Sequence, residues 1–369
     1  MNRLRFSLVL AWSGLLPSIP LVVEAQPGAD KRLMQKTSVQ ADAKPVKEVL
    51  RELGEKHKLA VEFDPSVAAE GGASQPFTLT ADGLTLGSVI HLACESANLV
   101  YTVDKGRLLV TTREAEEKIL IAREYPLGAL GGIIDLQALA MGLTEVTSGS
   151  WMDVDGEGGE FMAITPRSLT IRQTRTVHAQ LQSLFEQIAA ATGRARIVTA
   201  QDRAEQMIVR KLQTPSPFEA GPMELPDLLD QLLKKNGVPF WVDVAALADE
   251  GIDWTKLSST VGAKKVSPAA RLDAIGAEHQ LSWRFANEVV QITSAVKGDE
   301  QLFTRVYDVR GSIAPNRPME LLLEQLTSTK ELGPWQITDG DGGGVLPLGT
   351  LLVIRQTSAV HTKLAKILK

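Results

Sequence analysis

Cysteine is all but missing from this chain: its 369 residues contain one, Cys94. A single thiol excludes an internal disulfide and a thiolate metal cluster. It also leaves no cysteine at the end of the N-terminal leader to carry a lipid. Histidine is scarce, with five scattered residues and no His-x-x-x-His or Glu-x-x-His pair to hold a metal. Positive charge is not in excess, since 39 Lys and Arg face 44 Asp and Glu for a net −5. That balance argues against recognition of a phosphate backbone. Neither Gly-x-Ser-x-Gly nor Gly-x-x-x-x-Gly-Lys occurs, so the usual acyl-transfer and phosphate-cradling signatures are absent.

What is present describes an ordinary globular protein, 44% hydrophobic and 22% charged, long enough for two to four domains. The N-terminus reads as a targeting segment. Arg3 and Arg5 precede a mostly apolar stretch from Phe6 to Val23, and Val23 and Ala25 occupy the −3 and −1 positions before Gln26. The rival reading is an uncleaved anchor, which Pro17, Pro20 and two serines make a poor spanning helix. The mature protein is thus expected to be exported, periplasmic or at the cell surface, and soluble after cleavage.

One phrase occurs twice. Ile171-Arg172-Gln173-Thr174, followed by Val177-His178, Leu181 and Leu184, returns as Ile354-Arg355-Gln356-Thr357, Val360-His361, Leu364 and Ile367. The repeat extends over nearly the whole chain. One kind of unit, A, begins with an amphipathic helix in which Val46, Val49, Leu50 and Leu53 form a stripe. Alternating strands follow at Leu59–Phe63 and Pro76–Thr80, then a helix capped by Thr85. A hairpin closes the unit, Leu99–Val103 and Arg107–Thr111 around Asp104-Lys105-Gly106. The order returns with a helix at Pro226–Lys235, a strand at Val238–Val242, a longer insertion from Ala245 to Lys256, and a helix begun by Ser267. The second hairpin runs through Ala286-Asn287-Glu288.

The other kind, B, starts at Arg123-Glu124-Tyr125 and Arg305-Val306-Tyr307. It passes through helical stretches at Ile133–Met141 and Met319–Leu326 and tryptophan strands at Trp151 and Trp335. It ends on the strands Ser168–Arg172 and Leu351–Arg355 and the repeated phrase. Glu114–Lys118 is expected to be a solvated segment.

Within the phrase, Ile171 and Ile354 point inward from a strand, and Thr174 and Thr357 suit helix N-caps. Val177, Leu181, Leu184 and Ile188 make one helical stripe. The functional alternative is a weak anion or partner site at Arg172, His178, Arg355 and His361. A histidine near the positive end of a helix dipole is disfavoured as a cation, which weighs against it. Asp153-Val-Asp155-Gly-Glu157 and Asp339-Gly-Asp341 resemble calcium-loop fragments, but the twelfth residue from Asp153 is Ile164, not the bidentate glutamate required. They read as turns. Cys94 reads as a small buried hydrophobe. No catalytic, cofactor or metal site is expected, and the chain is expected not to be an enzyme.

The A units resemble the secretin and TonB short N-terminal (STN) domain, the N0-type module. The matching residues are Val46-x-x-Val49-Leu50-x-x-Leu53, Leu59-Ala-Val-Glu-Phe63-Asp64, Phe77-Thr-Leu-Thr80, Leu84-Thr-Leu86-x-x-Val89-Ile90 and Leu99-Val-Tyr-Thr-Val103 through Leu109-Val110. The B units are similar to secretin N1-type repeats, which carry a phrase like Ser168-Leu-Thr-Ile-Arg-Gln-Thr174 before the last helix. The alternation also resembles that of exported proteins of planctomycete-like bacteria. The second A unit departs from the pattern, with Pro268 where the first has Leu86.

The resemblance implies an α+β fold of tandem small two-layer modules, STN/N0-like and βαββα N1-like, duplicated as A–B–A–B. The expected boundaries are a leader over 1–25, a linker over 26–36, A over 37–116, B over 117–192, a linker over 193–205, A over 206–298 and B over 299–369. It further implies protein–protein contact in the cell envelope, through a partner or self-association. Nucleic-acid binding, stable membrane insertion and any cofactor are not expected. Secretins continue into a β-rich pore and TonB receptors into a barrel; no amphipathic strand series of that kind is present, so the chain is expected not to be the channel. N-terminal sequencing of the exported protein is expected to begin at Gln26; a chain still carrying Arg3 and Arg5 would favour the anchor.

Overall fold

The computed structural model describes residues 31–69, 71–104, 106–127, 135–191, 200–216, 221–262, 265–314 and 318–368. The leader at 1–25 and the linker residues 26–30 and 193–199 lie outside these. The fold is mixed α/β, built from small modules that recur.

The first A unit runs β1 (Lys36–Pro45), α1 (Val46–His57), β2 (Ala60–Phe63), α2 (Pro65–Ala69), β3 (Pro76–Thr85), α3 (Leu86–Ser96), β4 (Leu99–Asp104), β5 (Arg107–Thr112) and α4 (Arg113–Glu117). The first B unit follows as β6 (Ile121–Pro126), α5 (Leu136–Val146), α6 (Met152–Asp155), β7 (Glu160–Ile164), β8 (Ser168–Gln173) and α7 (Arg175–Ala191). The second half contains α8 (Ala200–Gln213), β9 (Gly221–Glu224), α9 (Leu225–Leu232), β10 (Phe240–Val242), α10 (Val244–Asp249), β11 (Ser258–Val261), α11 (Pro268–His279), β12 (Leu281–Ala286), β13 (Val289–Ser294) and α12 (Ala295–Glu300). It ends with β14 (Phe303–Asp308), α13 (Met319–Ser328), α14 (Gln336–Asp339), β15 (Gly344–Leu348), β16 (Leu351–Gln356) and α15 (Ser358–Ile367).

The sheets repeat with the units. Each A unit has an antiparallel pair, β1–β3 or β9–β11, and a 3-stranded sheet ordered β2-β5-β4 or β10-β13-β12. In both 3-stranded sheets the first pair is parallel and the hairpin antiparallel. The B sheets are ordered β6-β8-β7 and β14-β16-β15, antiparallel throughout.

Local chemistry accounts for the helix ends. The hydroxyl of Thr85 accepts from the Ser88 N–H at the start of α3, and that of Ser267 from Ala270 at the start of α11. Thr174 and Thr357 do the same for Val177 and Val360. Lys58 closes α1 in the left-handed region.

Four readings of the sequence need correction. The first A unit does not begin with its helix, nor does the linker reach residue 36: Lys36–Pro45 is strand β1, with Thr37, Val39 and Ala41 buried. Residues 200–205, assigned to a linker, open the helix α8. Glu114–Lys118 is solvated only in part: Glu114, Glu117 and Lys118 are exposed, but the segment lies largely in α4 and Glu116 is buried. Trp151 and Trp335 each make one bridge, to Gly159 and Gly343, and then start a short helix rather than a strand.

The two halves pack through both kinds of unit. Trp241 and Val289 of the second A unit belong to the core of the first. Leu346, Leu348, Leu351 and Val353 of the second B unit belong to the core of the first B unit. Here α5 lies on β15 and β16 while α7 lies on β14. The Thr304 hydroxyl donates to the Val146 carbonyl at 2.5 Å, and the Val306 N–H donates to Gln187 Oε1 at 3.3 Å.

Gly142 allows this approach, because a Cβ there would strike the Leu346 side chain. Gly142→Val is therefore expected to lower unfolding stability in urea by about 1–3 kcal/mol through overpacking, although helix propensity alone would favour valine over glycine.

Candidate functional site

The repeated phrase builds the same small apparatus twice. Along β8, Leu169 and Ile171 are buried while Arg172 is exposed, the alternation a strand imposes. Gln173 is buried, and its amide serves two ends. Its Nε2 donates to the Ser150 carbonyl at 2.7 Å, and its Oε1 accepts from the Thr174 N–H at 2.7 Å. Gln356 matches it, donating to the Pro334 carbonyl at 2.8 Å and accepting from Thr357 at 2.8 Å. A Cβ on Gly159 or Gly343 would collide with these amides, so glycine is required beneath each.

His178 is fully buried on α7, and both ring nitrogens are engaged. Nε2 lies 2.8 Å from the Ile121 carbonyl, and Nδ1 lies 2.7 Å from the Tyr125 hydroxyl. His361 repeats this with the Phe303 carbonyl at 2.7 Å and Tyr307 at 2.8 Å. A carbonyl only accepts, so Nε2 carries the proton and Nδ1 accepts from the phenol. Each histidine ties the last helix of its unit to the first strand. Burial pushes both down to about 4, against the bonds to the carbonyls, which favour the charged ring.

The four residues singled out in the sequence are thus not gathered into one site. Arg172 lies on the outer face of β8, paired with Glu160 at 3.0 Å, while His178 is buried on α7 against Tyr125 of the first B core. Arg355 lies half-buried on the outer face of β16, and burial lowers it from its ordinary value. Sequence reasoning missed the tyrosines. The signal was there: Tyr125 and His178 are 53 residues apart, Tyr307 and His361 54.

Other chemistry-bearing residues are used in similar ways. Asp155 and Asp339 accept the Trp151 and Trp335 N–H groups, both at 2.8 Å, which explains the calcium-like turns. Ser259 Oγ lies 2.8 Å from His279 Nε2 and 2.8 Å from Glu278 Oε2. A catalytic triad places the acid on the far imidazole nitrogen, whereas this carboxylate sits on the hydroxyl of a buried serine. Cys94 is buried, and burial pushes its thiol well above the ordinary range. Among the described residues no group of three or more His, Cys, Asp or Glu could hold a metal ion, and no helix is long and apolar enough to cross a membrane.

A cleft of about 260 Å³ opens between α4 and the start of α7, lined by Arg113, Glu116, Lys118, Ser150, Gly158 and Thr176 among others. Glu116 Oε1 accepts the Thr176 N–H at 2.9 Å, so the first A unit supplies a carboxylate to the helix of the first B unit.

No protein-family model matches the chain, and no curated protein matches it. Solved structures overlap with it weakly. XcpQN012 aligns at 8% identity over 90% of this chain and 95% of that one, with a TM-score of 0.19. The Klebsiella pneumoniae type II secretion system outer membrane complex of PulD, PulS and the PulC HR domain aligns at 12% identity over 90% of this chain and 49% of that one, with a TM-score of 0.25. The enterotoxigenic Escherichia coli GspC–GspD complex aligns at 10% identity over 42% of this chain and 98% of that one, with a TM-score of 0.18. TM-scores of this size describe local overlap rather than a shared overall arrangement.

Both histidines are ordinary in the unfolded chain, near 6.5, and depressed to about 4 when folded. Their contribution to stability is complete above about pH 6.5 and falls as pH drops toward 4, by on the order of 3 kcal/mol for each ring. Imidazole NMR is expected to show both rings neutral, with the proton on Nε2, at pH 6.

Proposed function

We propose that this chain is a non-enzymatic exported envelope protein that works as a protein–protein interaction or assembly module, related to the periplasmic domains of secretins. The reading rests on what the unit surfaces do within the chain. An A unit docks on an A unit, with Trp241 and Val289 entering the other core, and a B sheet docks on B helices through Leu346 and Val353. These are protein-binding surfaces, used here in cis. The titratable groups described above are spent on tying strands, caps and units together rather than on a shared reacting centre. The sequence resemblance to STN and N1-type modules points the same way and gives the periplasm or the cell surface as the compartment. The partner is an envelope protein or a second copy.

A second reading, a small-ligand or glycan-binding protein, draws on the cleft between α4 and α7, which lies between the first A and B units. Two experiments separate them. Mild cross-linking and affinity capture from envelope extracts is expected to recover a protein partner or the chain itself. Thermal-shift screening against peptidoglycan fragments, nucleotides and metals is expected to give no stabilisation; a stabilising small ligand together with an empty capture would favour the second reading.

A further inference from the structure

The hairpin of the second A unit turns on Asn287 and Glu288, both at positive φ, 52° and 64°. A two-residue turn of this hand favours asparagine followed by glycine, since an L side chain at the second place is strained. The first A unit obeys the rule. Its hairpin pairs Asp104 with Arg107 as the second pairs Ala286 with Val289, and Gly106, at φ 84°, holds the place of Glu288. A glutamate therefore stands where the backbone favours glycine.

Its side chain leaves its own unit. Glu288 is 5% exposed and enters the first A unit at the start of α3. Oε2 accepts from the Thr85 N–H at 2.6 Å, the Thr85 hydroxyl at 2.7 Å and the Ser88 hydroxyl at 3.0 Å. Oε1 takes the Lys36 ammonium at 2.5 Å. Burial by itself would push this carboxyl up, but the bonds from Lys36, Thr85 and Ser88 outweigh it and hold it below its ordinary value. The positive end of the α3 dipole adds to the attraction. Beside it Val289 packs into the same core, and Arg284 Nη2 meets Glu95 Oε1 of α3 at 2.6 Å.

We propose that Glu288 is the docking latch between the two A units, a carboxylate ligand supplied in cis to a site made by Thr85, Ser88 and Lys36. The side chain is kept at a strained turn position because it sets how the second A unit seats on the first. This goes beyond the assembly reading and does not depend on it.

The test is Glu288→Gly in the full chain, read by amide hydrogen exchange. A residue that served only the turn would be replaced by glycine without loss, whereas the latch predicts at least tenfold faster exchange at the Thr85 N–H with protection kept along β12 and β13. Glu288→Gln, which keeps the shape and loses the charge, is expected to fall between. Unchanged Thr85 exchange in the glycine variant overturns the proposal. Should that variant fail to fold, Lys36→Met combined with Ser88→Ala leaves the turn untouched and is read the same way: faster Thr85 exchange supports the latch, and unchanged exchange sinks it.

Discussion

Small units cannot bury enough apolar surface alone, and that constraint governs this molecule. Surface-to-volume scaling leaves a unit of a few strands and helices with a thin core. With one cysteine, no internal disulfide makes up the difference. The chain makes it up with itself. Trp241 and Val289 complete the first A core, and a row of leucines and valines from β15 and β16 completes the first B core.

The recurring units supply the matching partners, and the differences between them make the pairing one-way. Beside half-buried Arg355 the outer face of β16 is apolar, with Leu351 and Val353 buried in the core of the first B unit. The corresponding face of β8 is polar, with Ser168 and Thr170 half-buried and Arg172 exposed and paired to Glu160. The helices differ in the complementary sense. Leu139 and Leu143 of α5 correspond to Leu322 and Leu326 of α13, all buried, yet Gly142 between them has Gln325 as its counterpart. The glycine admits Leu346; the glutamine could not. Gly106 and Glu288 divide in the same way, one serving the turn and the other the neighbouring unit.

The buried polar side chains that join strands, loops and units have their lone pairs and protons matched, which is what makes their burial tolerable. The neutral histidines satisfy a carbonyl and a phenol each, the glutamine amides plug the loops beneath them, and Glu116 and Glu288 meet helix N-termini that lie in another unit. Caps and latches thereby do the work that a larger core would do in a bigger domain.

The sequence by itself determined the parts: the recurrence of two kinds of unit, the helices of Val46–His57 and Pro268–His279, both hairpins, and the caps at Thr85, Thr174, Ser267 and Thr357. These are legible because periodicity, capping and turn chemistry act between residues close along the chain. Strand β1, built mostly from small and polar residues, escaped notice because its pattern has meaning only against β3. The seating of one half on the other was invisible for the same reason. Glu288 lies 203 residues from Thr85, and no local rule reports what a side chain will meet at that distance. Only the tertiary structure decided that, by bringing to one place charges and surfaces that the chain keeps far apart.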